Sequence, residues 1–201
     1  MAWPKLRKSR ETERQPVEAA PAPVVPPARA AREQRMKRLA RKLDELPAKD
    51  ELRMREARDL EAKQHKAGVE LYALCRHLVD SLNAILHNLQ LELTPEQFHA
   101  DMLDGASGVI FQINASGRIV QLVLQSRETE ISSEHFRMPY ILRGAIRWFN
   151  QEYLERQEIQ EHQFFYCVDR IGGSWRFVDS RSRKVGALDQ DYLLETLEQL
   201  L

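Results

Sequence analysis

The sequence predicts an α+β fold: two antiparallel β-hairpins covered by helices, preceded by a long charged helix and a disordered Pro/Ala-rich N-terminus. Three observations support this prediction. Charge and apolar content change near residue 66, apolar residues beyond it first recur at helical spacing, and two later segments alternate with a period of two. We therefore divide the 201 residues into a tail over 1–28, a basic helical arm over 29–66 and an α+β globular domain over 67–201.

The formal net charge of zero conceals two oppositely charged parts. Residues 1–66 contain 18 Lys and Arg against 11 Asp and Glu, a net charge of about +7. Residues 67–201 contain 12 against 19, a net charge of about −7. Leu, Ile, Val and Phe number 9 in the first part and 43 in the second. Because the first part cannot bury enough apolar surface to offset its ordering entropy, we expect the core in the second.

Composition excludes several classes of protein. Two cysteines, Cys75 and Cys167, are too few for a disulfide-stabilised scaffold or a multi-thiolate zinc module. No stretch approaches 18 consecutive apolar residues, so no transmembrane segment is expected. The charged N-terminus has no apolar run behind it that would form a secretory signal. We therefore expect a reducing, cytoplasmic location.

The tail over residues 1–28 is predicted to be a disordered, extended spacer. Six of the nine prolines fall there, set among Ala and Val, and proline removes backbone donors and favours extended neighbours. A PxxP docking motif is present at 23–26, but this pattern is short and common. The spacer is therefore the favoured interpretation.

The arm over residues 29–66 is predicted to be an exposed, charge-laced helix. It contains strong helix formers and no glycine, with acid-before-base pairs four residues apart in its second half. Pro47 is expected to interrupt or restart this helix. One narrow apolar stripe allows a short coiled-coil contact, formed by Met36, Leu39, Leu43 and Leu46.

The positive charge of the arm is concentrated in residues 29–42, which we call the basic segment. It has seven Lys and Arg against Glu33 alone, a net charge of about +6. The candidate polyanion-binding residues are Arg32, Arg35, Lys37, Arg38, Arg41 and Lys42. Such a helix can neutralise phosphates and release counterions, but it lacks aromatic residues for base stacking, so nucleic-acid binding would be non-specific. A helix that is solvated, or that pairs with the acidic domain, is the favoured interpretation of this segment, and binding to an anionic membrane surface stays open as an alternative.

The globular domain is expected to begin with a helix and end with one. Apolar residues recur every three or four positions over 71–89, on a face broad enough for burial against a sheet. The tetrapeptide TPEQ at 94–97 predicts the start of a short helix that ends at Gly105. At the other end of the domain, Asp189 is expected to cap a last helix rich in leucine.

Between these helices the sequence predicts two hairpins separated by a helix. The first hairpin spans 109–124 and turns at 114–117, where Gly117 can adopt positive φ. A helix is expected over 139–156 because its apolar residues follow helical spacing. The second hairpin spans 164–180 and turns at a Gly-Gly pair.

Motifs for phosphate and metal binding are not found. Neither GxGxxG nor GxxxxGK[ST] occurs, so neither a dinucleotide nor a P-loop phosphate site is supported. His77 and His87 lie on one predicted helix, about 15 Å apart along its axis, too far to share a metal ion. We expect no cofactor and no metal.

Catalytic motifs are not found either. In the pairs Glu134-His135 and Glu161-His162 the two residues are neighbours in sequence, which seldom face one another, so solvated positions are expected. Cys167 lies in an apolar alternating segment and is expected to be a buried hydrophobic residue rather than a nucleophile. We expect no catalytic residue.

We interpret the chain as a non-enzymatic intracellular interaction or adaptor protein. The folded domain would bind an unknown protein partner, and the basic helical arm would serve for recruitment. The alternative is a nucleic-acid-associated protein that binds phosphates non-specifically through residues 29–42. In either case, the protein could function as a homodimer.

Overall fold

The computed structural model describes residues 27–105, 108–132, 138–170, 172–179 and 181–200. The predicted tail up to residue 26, with its PxxP motif at 23–26, lies outside the described residues. The chain divides into two compact units, Met1–Lys49 and Asp50–Leu201. Among the helices described, none is long and apolar enough to cross a membrane.

A long helix is followed by one antiparallel sheet and short helices. The elements are α1 Pro27–Asn83, β1 Glu92–Thr94, a 3₁₀ helix Ala100–Asp104, β2 Val109–Ala115, β3 Arg118–Ser132, β4 Pro139–Phe149, α2 Gln151–Arg156, β5 Gln160–Val168, β6 Gly173–Val178, β7 Val185–Ala187 and α3 Gln190–Glu198. The seven strands pair in chain order, each antiparallel to the next. The predicted α+β mixture is confirmed. The expectation of two hairpins is wrong, because all strands join a single seven-stranded sheet.

Residues 139–149 form strand β4, so the predicted helix over 139–156 is wrong for most of its length. Strand β4 pairs with β3 on one side and β5 on the other. Its pairing with β5 is irregular between Tyr140 and Leu142, and both Ile141 and Leu142 are fully buried. Two adjacent buried residues imitate helical spacing, which explains the error. Only α2 is helical, and it starts where Asn150 accepts a hydrogen bond from the Tyr153 amide.

Several local predictions are confirmed. Strands β2 and β3 form the first predicted hairpin, with Ser116 and Gly117 at φ values of 54° and 86° in its turn. Positive φ at both central residues gives the turn a twist that matches the flanking strands. At the other end of the sequence, Asp189 caps α3 by accepting a hydrogen bond from the Tyr192 amide.

Helix α1 differs from its prediction at Pro47, which lies inside the helix instead of interrupting it. Proline removes one backbone hydrogen bond and crowds the preceding turn. Ion pairs four residues apart flank it on both sides, Glu45–Lys49 and Glu51–Arg55, and favour the helical conformation there.

The C-terminal end of α1 also differs from its prediction. The apolar face was expected to continue to Leu89, but the helix ends at Asn83 and Ile85 is 68% exposed. The Asn83 amide donates to the Leu91 carbonyl and accepts from the Leu91 amide, at 3.0 and 2.8 Å. This pair of bonds joins the last residue of α1 to the residue that precedes β1.

The helix predicted from TPEQ starts later than expected. Thr94 is the last residue of β1 and pairs with Gln112, and the Thr94–Pro95 peptide bond is cis. A 3₁₀ helix begins only at Ala100, and Gly105 is its C-terminal cap residue, so the predicted end is confirmed. Strand pairing of Thr94 prevails over its capping preference.

The main core lies between α1, α3 and one face of the sheet, and a smaller buried cluster on the other face consists of Tyr140, Phe165, Cys167 and Val178. The α1 residues buried in it are Ala67, Leu71, Cys75, Leu78 and Val79, and they pack against apolar residues of β2 to β6. Two hydrogen bonds tie α1 to the sheet: Gln64 donates to the Ile141 carbonyl at 3.0 Å, and the Trp175 indole donates to the Ala67 carbonyl at 3.2 Å. Leu60 and Gln64 precede residue 67; Leu60 packs against the core, and Gln64 bonds to the sheet. The domain boundary at 67 stays a prediction.

Gly144 in β4 allows the closest packing inside the sheet layer. It pairs with Leu124 and Phe164 on the core side. A Cβ atom there would overlap both the Phe164 ring and the Val123 carbonyl oxygen. The Phe164 ring is fully buried and cannot move outward, so only glycine fits.

We expect Gly144→Ala to destabilise the protein by about 1–3 kcal/mol through overpacking. Chemical unfolding followed by circular dichroism would measure this change. Gly172→Ala is the matched control, because a Cβ atom at Gly172 meets nothing within 4 Å. Equal unfolding midpoints for the two variants would contradict the packing described for Phe164.

Candidate functional site

The sheet face opposite α1 is the most extensive candidate binding surface. Side chains along β2 alternate between buried and partly or fully exposed, and Ile110 on this outer side is 50% exposed. No described helix packs on it. We call this surface the open face. It is formed by Ile110, Gln112, Gln121, Val123, Gln125, Arg143, Ala145, Arg147, Glu161, Gln163, Phe165 and Arg176.

The strand register arranges three arginines around the middle of the open face. Arg143 lies opposite Phe165, and Phe165 lies opposite Arg176 on the next strand. Strands lie about 4.8 Å apart, so the two arginine backbones are about 10 Å apart, on either side of the phenyl ring. Arg147 is four residues further along β4, about 13 Å from Arg143. These side chains border one patch.

The patch contains a depression with a volume of about 260 Å³. Val123, Ala145 and Phe165 supply its apolar lining, and arginine and glutamine side chains together with the Glu161 carboxylate form its edges. The Phe165 ring packs edge-on against Tyr140, with ring centres 5.0 Å apart, and is 7% exposed. A depression of this mixed lining can accept one side chain of a partner, with its apolar part against Val123 and Ala145.

Positive charge on the open face is only partly neutralised. Arg147 forms an ion pair with Glu161 at 2.5 Å. Arg143 donates to the Gln125 side chain at 3.4 Å, and Arg176 to the Ser174 hydroxyl at 3.5 Å. Within the described part of the chain, neither of these two arginines forms an ion pair with a carboxylate. Among the described residues, the open face therefore presents two guanidinium groups that no carboxylate neutralises.

A second cavity, of about 310 Å³, lies on the other side of the sheet beside α3. His162 lines it, between the Trp148 and Phe177 rings at centre distances of 4.8 and 5.9 Å. Its Nδ1 atom is 2.8 Å from the Tyr192 hydroxyl, and its Nε2 atom is 3.5 Å from an Asp179 carboxylate oxygen. Both ring nitrogens therefore face a polar partner.

Burial and hydrogen bonds shift the pKa values of this cluster. Burial lowers the pKa of His162, an effect partly opposed by Asp179 and reinforced by Arg181 and Lys184. Burial also raises the pKa of Tyr192. Hydrogen bonds, first from the Ser182 hydroxyl, lower the pKa of Asp179.

The tautomer of His162 follows from these partners. A carboxylate only accepts hydrogen bonds, so Nε2 carries the hydrogen toward Asp179 and Nδ1 accepts from Tyr192. With both nitrogens occupied, the imidazole is suited to hold β5, β6 and α3 together rather than to transfer a proton. The sequence does not predict this cluster, because Asp179 and Tyr192 lie in other parts of the sequence. Its only signal is the alternation of His162 with Phe164 and Tyr166, which places His162 on the core side of β5.

The predicted polyanion-binding residues all lie on α1 and are exposed: Arg32, Arg35, Lys37, Arg38, Arg41 and Lys42. Lys37 forms an ion pair with Glu33 at 2.8 Å. For the other five, the described residues provide no ion pair. Arg32, Arg35, Arg38 and Lys42 line one surface together with Met36 and Leu39. The helical conformation expected for this segment is confirmed, and its binding role stays a prediction.

Other residues considered as chemical groups have structural positions. Glu161 and His162 point to opposite sides of β5, so the prediction that they do not face one another is confirmed; His162, however, is half-buried rather than solvated. Cys167 is fully buried as predicted, and burial raises its thiol pKa to about 11. Burial likewise raises the pKa of Cys75 to about 12. The pair Glu134-His135 lies outside the described residues.

Comparison with protein-family models, with curated proteins and with solved structures finds no match for this chain.

We expect His162 to make the protein less stable as the pH falls from about 7.5 to about 5. Burial lowers the pKa of the folded-state imidazole from 6.5, so the unfolded chain takes up a proton in this range before the folded chain does. The contribution of neutral His162 to the free energy of unfolding is fully present above the unfolded-state pKa. This contribution is lost as the pH falls toward the folded-state pKa. Urea unfolding of wild type and His162→Gln at several pH values would measure it.

The variant should lose less stability than wild type over this range. His77→Gln, at an exposed position on α1, is the control and should keep the wild-type pH dependence. An unchanged pH dependence in His162→Gln would show that the imidazole titrates alike in both states.

Proposed function

We propose that this chain is a non-enzymatic interaction protein, and that its α+β unit binds an acidic partner segment on the open face. The observation that carries this proposal is the placement of Arg143 at the edge of the depression and of Arg176 one strand beyond Phe165, where neither forms an ion pair with a described carboxylate. Guanidinium groups bind carboxylates through two parallel hydrogen bonds. The partner surface complementary to this arrangement has two carboxylates and an apolar side chain between them.

The size of the depression favours a side chain over a cofactor. About 260 Å³ is below the usual range for drug-sized ligands and is large enough for one apolar side chain. The edge strands are less suited to partner binding, because β1 and β7 have only three residues each. The open face is therefore the surface of this unit that best fits a macromolecular partner.

A synthetic peptide with one leucine flanked by glutamates is a direct probe of this surface. We expect Arg143→Glu with Arg176→Glu to weaken its binding at least tenfold, because each lost charged hydrogen bond contributes about 1.5–3 kcal/mol. Titration followed by amide NMR shifts would give both the affinity and the site. Replacing the central leucine by serine should also weaken binding if the depression accepts it.

The matched control reverses two exposed arginines elsewhere, Arg53 and Arg156, and changes the net charge equally. This control should bind the peptide like wild type. Equal loss of binding in both double variants would show that only net charge matters. Amide shifts confined to residues outside the open face would contradict the proposed site.

The second candidate function is non-specific nucleic-acid binding by the basic segment. Its specific support is that Arg32, Arg35, Arg38 and Lys42 line one exposed surface and form no ion pair among the described residues. Phosphate contacts need such cations, and each contact releases counterions, so affinity should fall steeply with salt.

We expect Arg35→Glu, Arg38→Glu and Arg41→Glu together to abolish this binding. Fluorescence anisotropy with a labelled duplex and a labelled single strand, over a salt series, would measure it. Wild type should show a slope set by about three to six neutralised phosphates. The control reverses Arg53, Arg55 and Arg58, which carry the same charge further along α1. No binding at low salt, or binding that ignores salt, would remove this candidate.

A further inference from the structure

Three potential metal ligands meet where the 3₁₀ helix packs on α1. Glu61 and His65 are one turn apart on α1, and Asp104 is the last residue of the 3₁₀ helix. One ligand atom from each lies within 4.8 Å of the other two. The closest pair is His65 Nε2 and Asp104 Oδ1, at 2.8 Å. All three residues belong to the unit Asp50–Leu201.

Packing between the two helices holds this group in place. Gly68 lies one turn beyond His65, and a Cβ atom there would be only 2.6 Å from Leu103, the residue before Asp104. Leu103 is 1% exposed, and its carbonyl accepts a hydrogen bond from the Ser126 hydroxyl at 3.1 Å. The absence of a side chain at Gly68 thus lets the 3₁₀ helix approach α1, which brings Asp104 next to His65.

The donor atoms favour one class of metal. An imidazole nitrogen with two carboxylate oxygens suits zinc, whereas calcium and magnesium prefer oxygen ligands alone. With metal–ligand bonds of about 2.0–2.2 Å, tetrahedral ligands lie about 3.4 Å apart. The closest two donors are 2.8 Å apart and all three lie within 4.8 Å of one another, so small side-chain rotations are sufficient to reach this spacing.

We propose that Glu61, His65 and Asp104 form a three-ligand zinc site that joins the 3₁₀ helix to α1. The Glu61 and Asp104 side chains are exposed and His65 is partly so, which leaves the fourth position open to water or to a ligand atom from outside. Zinc bound here would oppose separation of the two helices and stabilise the folded unit by mass action. This proposal does not depend on partner binding at the open face.

Zinc titration of the full-length, tag-free protein tests the proposal. Isothermal calorimetry should show one zinc per chain, and cobalt should give the intense visible absorption of a tetrahedral site. Glu61→Gln, His65→Gln and Asp104→Asn should each lower zinc affinity by at least about tenfold, since even groups that only orient metal ligands contribute 10–100-fold. Zinc should raise the melting temperature of wild type and have less effect on these variants.

His77→Gln and His99→Gln are the controls, because both histidines are exposed and neither belongs to the group. Both should bind zinc like wild type. Cobalt added to wild type should also shift NMR signals most strongly at 61–65 and 101–104, a result that needs no variant to fold. Absence of saturable binding, or equal affinity in His65→Gln and wild type, would overturn the proposal. Paramagnetic shifts centred on another histidine would do the same.

Discussion

Burial of one sheet face under α1 is the interaction on which the rest of the unit depends. A seven-stranded meander cannot bury its apolar side by itself, and its hairpins alone are only marginally stable. Leu71, Cys75 and Leu78 supply the apolar cover from α1, while α3 adds Leu193 at one end. Polar groups complete this interface: the Trp175 indole and the Gln64 amide bond to carbonyls across it, so no described buried side-chain polar atom lacks a partner.

The described helices cover only one face of the sheet, and this decides where we propose that a partner binds. On the covered side, polar groups such as His162 are used to hold elements together, and both of its nitrogens face a partner. On the open face the same strands carry arginine and glutamine, whose heads stay in water while their stems cover apolar surface. Residues 67–201 are acidic as a whole, yet two arginines that form no ion pair with a described carboxylate lie together on this face. Their local placement, and not net charge, is what would select an acidic partner.

Structural features that depend on residues adjacent in sequence are predicted correctly, whereas features that depend on residues distant in sequence are not. The turn at Ser116–Gly117 and the Asp189 cap depend on adjacent residues, and both are predicted correctly. The strand at 139–149 is mistaken for a helix, since its irregular pairing places Ile141 and Leu142 in the core together. The spacing of apolar residues along the sequence does not predict which residues are neighbours on adjacent strands. Strand register places Arg143 and Arg176 on either side of Phe165.

The group formed by Glu61, His65 and Asp104 is a second example of a contact between distant residues that the sequence does not predict. Glutamate and histidine four residues apart are visible in the sequence, but Asp104 comes 39 residues after His65. Asp104 lies next to His65 because the Leu103 side chain packs closely against the backbone of Gly68. No ligand motif in the sequence indicates this contact. The position of Asp104 is therefore coupled to burial of Leu103 under the same helix that covers the sheet. A ligand that binds this group only when the two helices are packed must stabilise that packing, because its binding free energy adds to the free energy of unfolding.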